Sequence, residues 1–379
     1  MSCVCLLDMA SLAWASLLLL CLPSACCQET EFPEFTSETP INNVVQDPRT
    51  GRVYVGAVNA VYQLDGSLAK EHKAETGPKK DLRSCTPPIN INTCPSAKDT
   101  NNTNKLLLVN PSNNNLIICG SLYRGICSLV NLSNINQLIY YSDNQGERTY
   151  VASIEDSVSV VGIMSNIQNL SVFLVGKGYG ILDSTKLIST RILQSHGEWA
   201  IFDSIVEAAA VQAIPFIPKY LHDFRYTFKD QGFVYFLFSR TLGGTDNKNS
   251  TFISRLCEQD DHYYSYTELQ LNCGPDNRFN KVQAAYVASP GKELARSLSE
   301  KGSYGDVQFW DKVLFVVASP DEDHTESALC LYPLKRINER MVDIISACYS
   351  DSGKIGGKPA VDIPYSPKTD DFCTGRDVS

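Results

Sequence analysis

The sequence predicts an all-β chain, and within that class a propeller. Three observations carry this. The apolar runs are short, 4 to 8 residues, rich in Val, Ile, Tyr and Phe, and bounded by Asn, Asp, Gly and Pro clusters, which is the pattern of strands separated by turns. Helical periodicity is scarce. A polar turn followed by a buried strand also recurs at a roughly constant interval, as a ring of repeated sheets requires.

The repeats run in order as RTGRVYVGAVNAVYQL around Tyr54, NNNLIICGSLYRGICSL around Ile118, QNLSVFLVGKGYGIL around Leu174, DQGFVYFLFSR around Phe236 and WDKVLFVVASP around Phe315, in steps of 64, 56, 62 and 79 residues. A blade of four antiparallel strands buries both faces only against neighbouring blades, so its innermost strands read as continuous apolar runs such as VYFLF and VLFVV. A jelly roll or a tandem of sandwiches would alternate more regularly at shorter spacing. Five units fit the chain: a five-bladed ring with long insertions, or a ring that the chain leaves open. Helical exceptions are ELARSLSE (Glu293 to Glu300) and PLKRINERMVDIISAC (Pro333 to Cys348), where Leu334, Ile337, Met341 and Ile345 would share one face.

With 379 residues, 43% of them hydrophobic, the chain has ample material for a packed core. A net charge of -9 and no run of Lys or Arg longer than two argue against a nucleic-acid binder, which needs a basic face.

Residues 1–27 read as a signal peptide. The apolar stretch Leu12 to Leu22 is followed by Pro23, Ser24, Ala25 and Cys26, about half the length of a bilayer span. Cleavage is expected between Ala25 and Gln28. The n-region lacks Lys and Arg and contains Asp8; a lipoprotein box, the competing reading, conflicts with Pro23. No later segment reaches spanning length, so the expectation is a secreted chain or the exported part of a protein anchored elsewhere.

Nine of the 14 cysteines lie beyond the leader: Cys85, Cys94, Cys119, Cys127, Cys257, Cys273, Cys330, Cys348 and Cys373. In an oxidising compartment these default to disulfides, and an odd number leaves one over. The sequons at Asn101, Asn131, Asn169 and Asn249 agree with a secretory route.

Catalytic constellations are thin. The five histidines, His72, His196, His222, His262 and His324, show no zinc-ligand spacing, and G-x-S-x-G is absent. Gly176 to Gly180, GKGYG, is followed by no helical pattern and reads as a blade turn. The acidic clusters at Asp260-Asp261 and Asp321 to Asp323 lack a calcium-loop pattern and read as solvated loops. Cys85 with Cys94 and Cys119 with Cys127 bracket local loops, without the C-x-x-C spacing of zinc or redox chemistry. An eight-residue bridge stabilises by about 2 to 3 kcal/mol, a structural role.

Several strings fall in an order that resembles the sema domain of plexins: VYVGAVNAVYQLDGSL (Val53 to Leu68), TGPKKDLRSCTPPI with Cys94 after it, TNKLLLV then CGSLYRGIC, ERTYVAS, and CEQDDHYYSYTELQLNC (Cys257 to Cys273). The Cys-Thr-Pro-Pro and Tyr-Tyr-Ser-Tyr details resemble B-type plexins in particular. The resemblance implies a sema domain over residues 33–379. It would be a seven-bladed propeller of which this chain supplies about five to six blades, since Ser379 follows soon after Cys373.

The resemblance implies an extracellular receptor domain that binds semaphorins in cell guidance and migration. Catalysis, cofactor, metal, nucleic acid and small-molecule substrate are not expected, and membrane anchoring would come only through parts beyond this chain. It further implies disulfides joining Cys85 to Cys94, Cys119 to Cys127, Cys257 to Cys373 and Cys273 to Cys330. Cys348 would be the unpaired thiol, because PAVDIPYSPKTDDFC holds no second partner. Ligand-contacting residues are not carried over by any motif. The competing readings are a secreted propeller enzyme such as a glycosidase and a semaphorin-like ligand.

Overall fold

The computed structural model describes residues 32–359, apart from 196, 206–210, 214–219, 243–247, 302–303, 322–324, 351–352 and 356–357; the expected leader and Cys373 lie outside the described residues. The chain divides after Thr36, and every element below lies in the unit that begins at Ser37.

Five antiparallel sheets follow one another in chain order. The first holds β1 (Ile41–Gln46), β2 (Val53–Ala57), β3 (Ala60–Leu64) and β4 (Lys70–Glu75). A short ribbon of β5 (Lys79–Asp81) and β6 (Lys98–Thr100) leads to the second sheet. That sheet holds β7 (Asn104–Asn110), β8 (Asn115–Gly120), β9 (Cys127–Asn131) and β10 (Asn134–Tyr141). The third has β11 (Val160–Ile167), β12 (Leu170–Lys177), β13 (Lys186–Ile192) and the short β14 (Val211–Gln212). The fourth has β15 (His222–Asp230), β16 (Phe233–Thr241), β17 (Asn249–Cys257) and β18 (Thr267–Leu271). The fifth shows three strands, β19 (Lys281–Ala288), β20 (Val313–Ser319) and β21 (Ala328–Pro333). Helix α1 (Gly291–Glu300) joins β19 to β20, and α2 (Leu334–Cys348) follows β21.

The first strands touch in succession, β1 to β7, β7 to β11, β11 to β15 and β15 to β19. That is the inner course of a propeller. The five apolar runs picked out by the repeat are the second strands, with Tyr54 in β2, Ile118 in β8, Leu174 in β12, Phe236 in β16 and Phe315 in β20. They are therefore not the innermost strands, as the apolar-run argument expects. Each is hydrogen-bonded on both edges and packed on both faces.

The alternation is legible residue by residue. In β12, Val172 and Leu174 pack with Phe236 and Phe238 of the fourth sheet, while Phe173 and Val175 pack with Ile117 and Leu129 of the second. In β8, Leu116 and Ile118 turn instead to Tyr54 and Val61 of the first sheet. In β16, Tyr235 and Leu237 meet Leu314 and Val316 of the fifth. Successive side chains of a strand point to opposite faces, so the middle of a strand between two neighbouring sheets is apolar at consecutive positions, and polar groups such as Lys177 and Arg240 come toward its end. Truncating a side chain such as the fully buried Phe236 costs about 3–5 kcal/mol.

Helix α2 buries Leu334, Ile337, Met341, Ile344 and Cys348, spaced by three and four as one face of a helix demands. Ile344 takes the place expected for Ile345, which is only half-buried.

Three disulfides are formed among the described residues: Cys85 to Cys94, Cys119 to Cys127, and Cys273 to Cys330. The other two expectations are corrected. Cys348 is disulfide-bonded, to a partner outside the described residues. Cys257 carries a free thiol. A resemblance orders pairs along the chain, and order alone does not decide between two thiols. Cys348 closes the buried stripe of α2; Cys257 ends β17 opposite Phe233, its N–H held by the Ser265 hydroxyl.

Candidate functional site

At one end of the sheets, three connections gather around a single arginine. They are residues 82–97, which carry the Cys85 to Cys94 bridge, residues 121–126 between β8 and β9, and residues 178–185 between β12 and β13. Arg124 donates from Nε to the Cys85 carbonyl at 3.1 Å and from Nη1 to the Leu182 carbonyl at 2.8 Å. One side chain thus ties all three.

Local backbone geometry aims it. Tyr123 and Arg124 both have positive φ, 53° and 65°, and Gly125 follows at 78°. A Cβ at Gly125 would collide with the Ala152 carbonyl, so only glycine fits there. The Tyr123 N–H donates to the Asp81 carboxylate at 2.9 Å, joining the turn to the β5–β6 ribbon.

Three more cations hold loop carbonyls from below. Lys105 donates to the carbonyls of Glu155 and Asp156 at 2.8 and 3.1 Å, and burial lowers its ammonium pKa. Lys177 donates to the Ser184 carbonyl and hydroxyl at 2.7 and 3.1 Å. Burial pulls Lys177 down to about 8, against the attraction of Asp183. Arg191, 1% exposed, reaches the carbonyls of Arg148, Tyr150 and Phe202 at 2.7, 2.9 and 3.1 Å. Irregular backbone without a ladder must find partners for its carbonyls, and these side chains supply them. The result is a set of loops fixed in place, with Ile91, Ile181 and Leu182 turned outward at 68%, 82% and 47% exposure.

Among the described residues no three of His, Cys, Asp and Glu stand close enough to hold a metal. His222 is buried, its Nδ1 2.9 Å from the Tyr220 hydroxyl and its ring stacked on Phe238, and burial holds its pKa well below the ordinary value. The buried pair Arg240 and Glu268, 3.0 Å apart, is completed by the Tyr266 hydroxyl and the Phe252 ring. It is a polar core element, matched on every side.

The residues singled out in the sequence scatter over the fold. Gly176 to Gly180 closes β12 and enters the turn toward β13, as a blade turn does. Asp260 accepts from the Ser265 N–H and hydroxyl, folding its own loop. Asn101 and Asn169 are exposed and Asn131 is half-buried. Asn249 differs: it lies within β17, donates to Asp321 at 2.6 Å and accepts from Thr241 at 2.9 Å, with Ser250 and Thr251 buried beside it. Arg124, Lys105, Lys177 and Arg191 carry no local signal in the sequence, because a cation that caps a distant carbonyl leaves no pattern near itself.

No protein-family model matches the chain. Mouse (Mus musculus) plexin-B2 is 34% identical over 332 residues, which cover 85% of this chain and 17% of that protein. Human (Homo sapiens) plexin-B1 is 32% identical over 348 residues, 88% of this chain and 16% of that protein. The chain therefore spans about a sixth of the length of these curated plexins. Among solved structures, the plexin A4 full extracellular region matches with a TM-score of 0.69 and 30% identity, over 82% of this chain and 36% of that one. Drosophila semaphorin 1a, extracellular domains 1-2, matches in fold alone, with a TM-score of 0.52 at 16% identity over 84% of this chain and 57% of that one. The disulfides belong to an oxidising, extracellular setting. With identity of this order sustained over most of its length, and the fold of a plexin extracellular region, the chain is a homologue of plexins with the sema-type β-propeller fold.

Proposed function

We propose that this chain is the ligand-recognition domain of a plexin-like cell-surface receptor, that its partner is a semaphorin, and that it performs no catalysis. The observation that carries the reading is the similarity to plexins across 82 to 88% of the chain. Residues 1–27 serve as the leader and 33–379 as the sema domain in this reading, with glycans on sequon asparagines. The arginine-tied loops offer a partner what protein recognition asks for. They form a surface ordered before binding that carries exposed apolar side chains together with the exposed ion pair of Arg83 and Asp156.

The test is capture of the secreted chain on immobilised semaphorin ectodomains. Saturable binding to at least one is expected, weakened at least tenfold by Ile181→Asp with Leu182→Asp while the unfolding temperature stays within a degree or two. Absence of saturable binding across the semaphorin classes would overturn the reading.

A further inference from the structure

A second, separate recognition site lies where β18, β21 and α2 meet. The cavity there measures about 210 Å³, and Leu269, Leu271, Ile337 and Tyr332 give it an apolar lining. Arg336 and Arg340, one helical turn apart on α2, also line it, and among the described residues no carboxylate does. On a chain of net charge -9, a cavity whose described wall holds two guanidiniums and no acid is an exception in sign. β18 is the outermost strand of its sheet, so the cavity opens along a sheet edge.

We propose that this cavity binds an acidic peptide segment of a partner protein, with one large apolar side chain seated in it and flanking carboxylates on Arg336 and Arg340. Size and charge choose the occupant. Sites that take whole small molecules run to roughly 300–1,000 Å³, so 210 Å³ fits a single side chain with the rest of its chain outside. Guanidinium forks bind carboxylates bidentately.

Their present partners hold them loosely. Arg336 meets Glu339 at 2.9 Å and Arg340 meets Asp343 at 3.4 Å, all four side chains between 44% and 55% exposed. Exposed pairs of this kind exchange readily for a better acid. The site does not rest on the semaphorin reading, since its residues lie on other elements than the arginine-tied loops.

Fluorescence anisotropy of the full chain with fluorescein-labelled Glu-Glu-Phe-Glu-Glu tests the proposal, beside the same peptide with Ala for Phe. Saturable binding of the first is expected, at least tenfold weaker for the second and at least tenfold weaker for Arg336→Ala with Arg340→Ala. Removing the competing acids, Glu339→Gln with Asp343→Asn, is expected to tighten binding severalfold. No binding, equal binding of both peptides, or indifference to the arginine changes would overturn it. Should the arginine variant fail to fold, the Glu339→Gln, Asp343→Asn variant decides, with unchanged or weaker affinity counting against the site. Semaphorin capture by the arginine variant is expected to match that of the unaltered chain, which keeps the two readings separable.

Discussion

Cys119 and Cys127 stand directly opposite each other in β8 and β9, with their Cα atoms 4.0 Å apart and both side chains buried against the third sheet. The strands are already paired by their ladder, and the bridge closes a separation of only 8 residues. Cys273 to Cys330 closes 57 and joins the end of the fourth sheet to the fifth.

The loop-closure account then ranks them. Replacing Cys119 and Cys127 together by Ala should cost about 2–3 kcal/mol, and replacing Cys273 and Cys330 about 4 kcal/mol. Urea unfolding of the two double variants measures both. Equal losses, or the reverse order, would show that native packing and not chain entropy governs these bridges.

Lys177 makes stability depend on alkaline pH in a defined direction. Its ammonium titrates at about 8 in the folded chain, lowered chiefly by burial and further by Arg191 and Lys186, with Asp183 opposing. In the unfolded chain it titrates near the ordinary value of about 10.4. Between those values the unfolded state holds the extra proton, so stability rises with pH, by at most about 1.4 kcal/mol per unit. Unfolding of the parent and of Lys177→Met between pH 8 and 10 isolates the effect. The difference between them should grow with pH in favour of the parent, and a flat difference would refute the assignment.

The four sequons should not behave alike. Asn101→Gln, Asn131→Gln and Asn169→Gln should each remove one glycan's mass from the secreted chain. Asn249→Gln should remove none, because the native strand commits both ends of that amide to Thr241 and Asp321. Intact-mass measurement before and after endoglycosidase treatment reads this directly. A glycan on Asn249 in folded material would require its amide nitrogen to leave Asp321.

The blade count and the strand type are legible because the middle of a second strand, packed on both faces, is apolar at consecutive positions, a constraint that survives in one sequence. Four consecutive residues of β12 show it, with Val172 and Leu174 facing the fourth sheet and Phe173 and Val175 the second. Which strand lay innermost was not legible, since that depends on contacts between blades. The loop-holding cations were invisible for the related reason that Arg124 meets carbonyls 39 and 58 residues away. In the α2 stripe Ile344 and not Ile345 is buried, a distinction the sequence does not make because two adjacent isoleucines satisfy a helical period almost equally well.

The cysteine correction has its own test. Nine cysteines beyond residue 27 leave one over whichever pairing holds, so counting cannot tell Cys257 from Cys348, but alkylation can. In the structure Cys348 is bonded and Cys257 is free and half-buried at the end of β17. Denaturing the chain in iodoacetamide without reductant should therefore label one site, and peptide mapping should find it at Cys257. In native buffer the label should enter more slowly, since Cys257 is half-buried in the folded chain. Label on Cys348 would restore the order-based pairing and place the free thiol on the helix.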